Sequence, residues 1–466
     1  MSGTERSVLR RLTWLCALAL CVRLAVLFAG PWQLPSRAYN PDSSRYLVLG
    51  RNLAEHGVFG KAVEDGLVHT QVAAIRARNG TLPPPDEHGF RPESFRTPGY
   101  PALIAALGAL HPDHRGVLLF QCVLGAAGVA LMFGLARRLG IGPRGAWLSA
   151  GLWAFHPALV LHDNLFMSDT LFTVLGLAAL TVHGHGSRLL AGAALIGAAA
   201  LVRPLGLLYL PALLAMTLTL RPLRRWLAVL AIAIAVLPSA AWSLRNHARG
   251  EGLRMSTVGT INLLYYTVAY TLSEAEGEEW SEAWPRRVTQ LSQELDARVT
   301  PGSDVISDAG ALAIDRLRER PAALMRVQGK SWVKLALDHS MGELASVLGL
   351  RYTPSNLFSA LVLREPAATR RLAPGPALAA LLWVAVNGLL ALGALVGVLR
   401  ALAERRWAFA TVVASIVVLF ALGTGSVGLE RFRVPAMFAL FLGTAAAVDP
   451  TPRNVPARAA RGQAAG

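Results

Sequence analysis

The chain has 466 residues, of which 53% are hydrophobic and only 16% charged, a balance that argues against a soluble protein of two or three domains. Its formal charge of +16 does not indicate nucleic-acid binding, because the arginines cluster in short loops beside apolar runs and the sequence has no basic-aromatic module. The composition predicts an integral membrane protein, with membrane lipids and no nucleic acid among its partners.

The first predicted element is an apolar run over residues 12–30 that follows a basic flank. Arg23 interrupts this run and no small-residue cleavage site stands out after it, so we predict a retained helix and not a cleaved signal peptide. With the N-terminus in the cytoplasm, residues 31–115 form the first extracytoplasmic loop. The run 98–110 within this loop is too short to span a bilayer, which needs about 20 residues, and it therefore predicts an interfacial helix.

Nine further apolar runs predict membrane crossings, near residues 116–135, 146–161, 165–182, 188–203, 205–220, 226–243, 376–399, 407–423 and 434–448. With residues 12–30 they give ten crossings, an arrangement that places every major arginine cluster on the cytoplasmic side. The expected fold class is therefore all-α and integral to the membrane. It has about ten transmembrane helices, with interfacial helices in the large first extracytoplasmic loop.

The chain divides into four predicted regions. They are an N-terminal transmembrane catalytic module (1–243) that includes the outer loop 31–115, an extracytoplasmic region (244–375), C-terminal transmembrane helices (376–448) and a cytoplasmic tail (449–466). In the extracytoplasmic region, the acidic residues 273–282 predict a linker. Leu324, Val327, Trp332 and Leu335 then recur at near-helical spacing, which predicts an amphipathic helix on the membrane surface.

Two short polar signatures stand at the ends of apolar runs in the first outer loop. Asp42, with Tyr46 one turn later, follows the first helix, and Arg96 precedes a proline-rich entry into the interfacial helix. A carboxylate and a cation at the membrane surface suit chemistry on a substrate that is anchored in lipid. The alternative for Asp42 is a helix N-cap, and the alternative for Arg96 is an interfacial anchor.

Further charged residues lie at the ends of later apolar runs. Asp169 stands near the outer start of a predicted crossing, where a carboxylate is costly and tends to be functional, although a capping or packing role is the alternative. Arg431 and Arg433 come just before the last crossing. They could hold one phosphate by bidentate hydrogen bonds or bind lipid headgroups in general. Arg203, followed by proline, is open to the same two interpretations.

The cysteines and histidines do not form a metal-binding pattern. Cys16, Cys21 and Cys122 all lie inside apolar runs, where buried packing is expected. His156 and His162 have no further ligands at the spacing that a metal site requires. We therefore assign no metal ligand and expect no cofactor, and we leave dependence on a divalent metal open.

Together these signatures resemble the membrane glycosyltransferases of the C-type fold, and most of all the superfamily of protein O-mannosyltransferases and lipid A aminoarabinose transferases. The matching pieces run in order along most of the chain: Asp42 with Tyr46, Arg96 to Pro101, Ser168-Asp169 with Leu171, Leu201 to Pro204, Arg245-Asn246 with residues 259–265, and Arg431 to Pro435. There are two departures. The mannosyltransferases commonly carry Asp-Glu where this chain has Asp42-Ser43, and the aminoarabinose enzymes carry Lys at the position of Arg96.

The resemblance implies sugar transfer from a polyprenyl-phosphate-linked donor to a lipid, glycan or protein acceptor, with inversion. It places the active site on the extracytoplasmic face of a plasma membrane, as in a bacterial inner-membrane enzyme. By resemblance, Asp42 acts as base or positions the acceptor, Arg96 grips the donor phosphate, and Asp169 is the second acidic position. The remaining predicted substrate-binding residues are Tyr46, Tyr100, Arg203, Arg431 and Arg433.

The alternative function is a transporter or flippase of lipid-linked intermediates. Such a protein would also have many crossings and charged groups within the membrane. Transporters, however, often show paired, interrupted helices in two related halves, and the sequence shows no such internal symmetry. The sequence does not specify which sugar is moved or which acceptor receives it.

Overall fold

The computed structural model describes residues 2–62, 70–108, 113–220, 224–350, 374–423, 425–427 and 430–449. The helices before residue 250 are α1 (Gly3–Ala29), α2 (Ser43–His56), α3 (Thr70–Arg78), α4 (Gly99–Gly108), α5 (Arg115–Arg138), α6 (Pro143–Phe155), α7 (Pro157–Asp163), α8 (Asp169–Thr181), α9 (Ser187–Val202), α10 (Tyr209–Leu220) and α11 (Arg225–Ala248). Those after it are α12 (Val258–Asn262), α13 (Ala269–Glu276), α14 (Trp280–Arg298), α15 (Val305–Glu319), α16 (Pro321–Leu337), α17 (Met341–Leu348), α18 (Pro374–Ala403), α19 (Trp407–Gly423), α20 (Glu430–Arg433) and α21 (Met437–Val448). The predicted tail beyond residue 449 and residues 351–373 lie outside the described residues.

Five segments of the described chain are long and apolar enough to cross a membrane: α1, α5, α11, Leu381–Ala403 of α18, and Arg431–Val448, which ends with α21. The protein is therefore a multi-pass membrane protein. Helices α4, α8, α9, α10 and α19 are apolar but shorter. The number of ten crossings stays a prediction, because several of its spans correspond to helices shorter than the roughly 20 residues that an untilted crossing needs.

Close packing between the apolar helices depends on small residues. A Cβ atom on Gly397 of α18 would come within 1.9 Å of the Gly443 carbonyl oxygen in α21. Gly128 of α5 likewise faces Trp153 of α6, whose indole Nε1 donates to the Gly125 carbonyl at 2.8 Å. These glycines leave no room for a side chain, so they let the helices of each pair approach closely.

Proline interrupts two of the predicted helices. The run predicted as one helix over residues 146–161 is α6 followed by α7, and His156 is extended between them (φ −63°, ψ 122°). Pro157 explains this break, because proline lacks an N–H donor and disfavours helical geometry in the residue before it. The run predicted over residues 205–220 begins as a 3-10 turn, Pro204–Leu208, before α10 continues it.

The fold is all-α as predicted, apart from one small hairpin in the predicted first outer loop that the sequence analysis did not predict. Strands β1 (Gly60–Ala62) and β2 (Phe90–Pro92) pair antiparallel, with Gly60 opposite Pro92. Only a residue without a side chain fits at Gly60, because a Cβ there would lie 2.5 Å from the Arg91 carbonyl oxygen. Strands of three residues are too short to give a detectable alternation in sequence.

The described part of the predicted extracytoplasmic region has a hydrophobic core of its own. Helices α12 to α15 and the π-helical turn Leu263–Val268 bury Leu264, Val268 and Leu291, and α3 of the first outer loop adds Ile75. The two predicted outer segments therefore pack into one unit. The buried residues Val72 and Ile75 hold α3 in this unit.

The predicted acidic linker at residues 273–282 is wrong. Its residues belong to the end of α13, a short turn and the start of α14. The rings of Tyr270 and Trp280 stack with centroids 3.3 Å apart, and the guanidinium of Arg287 pairs with the carboxylates of Glu276 and Glu278. These contacts between α13, the turn and α14 neutralise and order a segment that is polar in sequence.

The predicted amphipathic helix is confirmed as a helix, α16. Val327 and Leu335 are buried, whereas Trp332 is 42% exposed and donates from Nε1 to the Ala421 carbonyl at 3.2 Å. One face of α16 therefore packs on the protein and ties the outer region to the end of α19. Its position on the membrane surface stays a prediction.

Candidate active site

Asp42 lies directly before α2, and its carboxylate is held by two arginines. Arg96 Nη2 lies 2.5 Å from Asp42 Oδ1, and Arg431 Nη1 donates to Oδ2 at 2.9 Å. Asp42 occupies the N-cap position of α2 but makes no capping hydrogen bond. The capping interpretation therefore does not describe this side chain, which is turned toward the two guanidinium groups.

The Arg96 segment is fixed by its contacts with the end of α9. Thr97 Oγ1 donates to the Val202 carbonyl at 2.8 Å, and a Cβ on Gly99 would lie 2.8 Å from the Leu201 carbonyl. Helix α4, which starts here, also packs on α2, where Gly50 lies directly against Ile104. These contacts bring Asp42, Arg96 and the end of α9 to one place.

Asp169 is the first residue of α8, and its side chain is fully buried. Arg203, at the end of α9, donates from Nη2 to Asp169 Oδ2 at 2.6 Å and from Nε to Ser168 Oγ at 2.7 Å. His162 Nδ1 lies 3.8 Å from the same carboxylate oxygen. Asp169 Oδ1 has no hydrogen-bond partner among the described residues. A buried carboxylate oxygen without a donor is suited to accept a hydrogen bond from a bound hydroxyl.

Tyr46 joins the two carboxylate clusters. Its hydroxyl lies 3.2 Å from Ser168 Oγ, and Arg96 Nη1 donates to it at 3.3 Å. The Arg96 guanidinium also lies over the Tyr46 ring, 4.8 Å from its centroid. Six of the eight predicted site residues, namely Asp42, Tyr46, Arg96, Asp169, Arg203 and Arg431, therefore share one polar network.

Tyr100 packs against Tyr46 of this network. Its side chain is fully buried, and its hydroxyl donates to Gln121 Oε1 at 2.6 Å. Its ring meets the ring of Tyr46 edge to face, with centroids 5.0 Å apart. The predicted substrate-binding residue Tyr100 thus holds Tyr46 in place and points its own hydroxyl away from Asp42.

Arg433, one of the predicted substrate-binding residues, is directed to the end of α16 and not to the Asp42 carboxylate. Its Nη1 donates to the Leu335 and Ala336 carbonyls at 2.8 and 2.6 Å, and its Nη2 donates to the Asp338 carbonyl at 3.1 Å. These carbonyls end α16, where a cation also meets the negative end of the helix dipole. Arg433 is therefore positioned to cap α16.

The charges of the network favour an anion. Burial by itself raises the pKa of Asp42, but Arg96, Arg431 and Arg45 outweigh it and lower the pKa to about 2. Asp42 is therefore ionised at neutral pH. Three guanidinium groups bond to two carboxylates in the network, which leaves one positive charge in excess.

Arg45 adds a further positive charge near Asp42, and the sequence reading gave it no role. Its guanidinium lies 5.1 Å from the centre of the Phe95 ring. The sequence could have indicated this proximity, because Arg45 comes three residues after Asp42 at the start of α2 and both side chains therefore lie on one face of the helix.

A second buried ion pair lies beside the site. Arg23 of α1 is fully buried, and its Nε lies 2.5 Å from Asp163 Oδ2, while Thr170 Oγ1 donates to Asp163 Oδ1 at 2.7 Å. Arg23 also donates from Nη1 to the Ala154 carbonyl at 2.8 Å. The guanidinium thus ties α1 to the end of α6 and to α7. The sequence alone does not predict this pair, because Arg23 and Asp163 lie 140 positions apart.

No group of three or more His, Cys, Asp or Glu side chains in the described ranges is placed to hold a metal ion. The three cysteines are free thiols. Dependence on a divalent metal stays open.

Comparison with known proteins gave matches only among solved structures. No family model and no curated protein matches the chain. The archaeal oligosaccharyltransferase AglB from Archaeoglobus fulgidus, solved with an inhibitory peptide and a dolichol-phosphate, matches with a TM-score of 0.46 and 13% identity over 96% of this chain and 50% of its own. ArnT from Cupriavidus metallidurans, solved with undecaprenyl phosphate, matches with a TM-score of 0.35 and 17% identity over 96% of this chain and 78% of its own.

The chain spans about half the length of the oligosaccharyltransferase structures that it matches. With TM-scores below 0.5, these matches by themselves assign neither a family nor a function. The resemblance to the superfamily therefore rests on the sequence motifs. The function is argued from the polar network around Asp42 and Asp169.

Proposed function

We propose that the protein is a membrane glycosyltransferase that moves a sugar from a polyprenyl-phosphate-linked donor to a lipid, glycan or protein acceptor. The observation that carries this proposal is the pairing of one carboxylate, Asp42, with two arginines from distant parts of the chain. The arginine bias between the helix ends supports an active site on the extracytoplasmic face, as in a bacterial inner-membrane enzyme.

The donor phosphate would bind by replacing Asp42 on the two guanidinium groups. Arginine holds phosphate through two parallel charge-assisted hydrogen bonds, so Arg96 and Arg431 can move from one anion to the other and stay paired, while the Asp42 carboxylate is released. The Nε atoms of both arginines are buried and have no hydrogen-bond partner among the described residues. These donors would be available to phosphate oxygens.

Bond cleavage requires that the phosphate leaves with its electron pair. Fixed cations that meet the developing negative charge lower this barrier, and such preorganised electrostatics is often the largest catalytic contribution. The network supplies Arg96 and Arg431 at the phosphate, with the charge of Arg45 close by. The bond between the anomeric carbon and the phosphate oxygen breaks as the bond to the acceptor oxygen forms, and one displacement inverts the anomeric centre.

The acceptor hydroxyl must lose its proton in the same step. Asp42, once released from its arginines by the phosphate, would regain basicity and take this proton, an effect worth about 10²- to 10⁴-fold. Asp169 stays paired with Arg203, and its Oδ1 would accept a hydrogen bond from a sugar or acceptor hydroxyl. Tyr46 lies between the two carboxylates and holds Arg96 in register.

The experiment is a turnover assay in proteoliposomes that contain a polyprenyl-phosphate sugar and candidate acceptors. We expect release of polyprenyl phosphate that depends on the protein and on the acceptor. Asp169→Asn should reduce turnover. It should also lower the unfolding temperature, because the Arg203 guanidinium loses its buried carboxylate, so turnover is compared at a temperature where the variant is folded. Transfer of the intact donor lipid between leaflets without bond cleavage would instead support a flippase.

A further inference from the structure

A second polar pocket lies at the other membrane end of the helix bundle. It has a volume of about 370 Å³, within the range of ligand sites, and it is lined by Arg138, Arg405, Arg406, Trp407 and Phe409, with His183 at one side. Gln121 and Arg138 both lie on α5, 17 positions apart, which corresponds to about 25 Å along a helix. Gln121 bonds to Tyr100 at the candidate active site, so the pocket lies close to the opposite membrane face.

The pocket collects positive charge. Its lining residues in the described part of the chain include three arginines and no carboxylate. The nearest acid, Glu404, lies 3.9 Å from Arg406 Nη1 and bonds at 3.0 Å to Arg400, which lies outside the pocket. Arg138 and Arg406 each bond to one backbone carbonyl, of His183 at 3.2 Å and of Leu139 at 2.9 Å. Each guanidinium has five N–H donors, so further donors are available to a ligand.

Arg405 has a backbone conformation that favours glycine. Its φ angle is 57°, in the left-handed region, directly after the end of α18. The Arg406 N–H donates to the Ala401 carbonyl at 2.7 Å, the bond that defines a helix C-cap in which glycine is preferred at the position of Arg405. No hydrogen bond or ion pair of the described residues involves the Arg405 guanidinium. The Arg405 side chain is exposed, so its guanidinium is accessible to a ligand in the pocket that it lines.

The first turn of α19 forms another side of the pocket. Trp407, Ala408 and Phe409 are its first three residues and all line the cavity. An α-helix leaves its first N–H groups without intrahelical acceptors, and these groups favour an anion. Trp407 is 61% exposed, as expected for an aromatic residue at the level of lipid headgroups. The pocket is thus both cationic and open toward lipid.

We propose that this pocket binds the phosphate of an anionic phospholipid headgroup. The phosphate lies between Arg138, Arg405 and the first turn of α19, and the acyl chains extend into the bilayer beside Trp407. Basic pockets between helix ends at a membrane face suit this chemistry. The lipid fixes the ends of α5, α18 and α19 relative to one another, at a distance from the site of sugar transfer. The proposal does not depend on the glycosyltransferase assignment.

The test uses the purified full-length protein in detergent, with phosphatidylglycerol, phosphatidylcholine and inorganic phosphate as probes. Binding is measured by thermal shift and by native mass spectrometry. The variant is Arg405→Gly, which removes the guanidinium and suits the left-handed backbone. Its unfolding temperature without lipid should therefore equal or exceed that of the wild type. Arg138→Gln is the second variant, and Arg225→Gln, an exposed arginine outside the pocket, is the matched control.

We expect phosphatidylglycerol to bind at least about tenfold more tightly than phosphatidylcholine, and both pocket variants to lose about tenfold or more in phosphatidylglycerol affinity. The control variant should bind as the wild type does. Equal binding of the two lipids, or unchanged binding by Arg405→Gly, overturns the proposal. If inorganic phosphate protects as well as phosphatidylglycerol at equal concentration, the ligand is a free phosphate and the assignment to a lipid is wrong.

Discussion

Arg431 donates from Nη1 to Asp42 Oδ2 at 2.9 Å, although the two residues are 389 positions apart in the chain. Arg96 holds the other oxygen of the same carboxylate. Residues from the first outer loop and from the start of the last apolar segment thus meet at one anion. We propose that an incoming phosphate exchanges with Asp42 at this point.

Asp42→Asn should lower the rate of sugar transfer by at least about 10²-fold, because Asn retains the size of the side chain but cannot accept a proton. Expression should change little, whereas the unfolding temperature should fall because the two ion pairs of Asp42 are lost. The measurement is the initial rate at saturating donor in proteoliposomes. Asp296→Asn, which removes a partly exposed carboxylate of α14, is the matched control. Near-normal turnover in Asp42→Asn would show that Asp42 is not the base.

The stability contributed by Asp42 should depend on pH in a defined window. Burial raises its pKa, but the arginine charges outweigh burial and lower it from the ordinary 3.8 to about 2. A carboxyl whose pKa is depressed in the folded state stabilises that state fully above its ordinary pKa, and this stabilisation is lost as the pH falls toward the folded value. The difference in unfolding temperature between wild type and Asp42→Asn should therefore be constant above about pH 5 and shrink between about pH 4 and pH 2. A difference that grows on acidification would contradict the assigned ion pairs.

Arg431 and Arg433 should give different phenotypes. Arg431→Ala removes a guanidinium from Asp42 and from the donor site, so it should raise the donor KM by about 10- to 100-fold. Arg433→Ala removes the cap of α16 and should lower the unfolding temperature, at a cost of about 1–2 kcal/mol. Donor titrations and thermal unfolding of both variants separate the effects. If Arg433→Ala raised the donor KM as much as Arg431→Ala and left the unfolding temperature unchanged, Arg433 would instead be a ligand of the donor phosphate.

The buried pair of Arg23 and Asp163 should be needed for stability. Asp163→Leu leaves a fully buried guanidinium without its carboxylate, which costs about 3–5 kcal/mol. Replacing both members, as in Arg23→Met with Asp163→Leu, should recover a large part of this loss. A double-mutant cycle of unfolding free energies measures the coupling. Additive effects of the two substitutions would mean that the pair contributes nothing specific.

Much of the site could be predicted because its residues mark the ends of apolar runs. Arg96, Asp169 and Arg203 each stand close to where an apolar helix starts or stops, Asp42 lies in the loop after the first apolar helix, and the structure places all four in one network. A membrane interface concentrates such ends in a thin layer. The sequence can therefore predict that positions far apart in the chain lie at the same depth in the membrane. It cannot predict which of their side chains are in contact.

The incorrect predictions concern the orientation of side chains and contacts between separate segments, which the local sequence does not determine. Arg431 and Arg433 both lie on α20, but residues two positions apart on a helix face different sides, so only one reaches Asp42. The ion pair of Arg23 and Asp163 was not predicted, because nothing in the sequence around either residue indicates the other as its partner. The predicted linker at 273–282 is ordered by Arg287 of α14, which is a contact between separate helices.

Binding of polyprenyl phosphate, measured by thermal shift or calorimetry with the wild type and with Asp42→Asn, Arg96→Ala and Arg431→Ala, tests the exchange of anions most directly. If phosphate replaces Asp42 on the two arginines, Asp42→Asn should bind the lipid phosphate as tightly as the wild type or more tightly, because the competing carboxylate charge is gone. Both arginine variants should bind it about tenfold or more weakly. Weaker binding by Asp42→Asn, or unchanged binding by both arginine variants, would contradict the account.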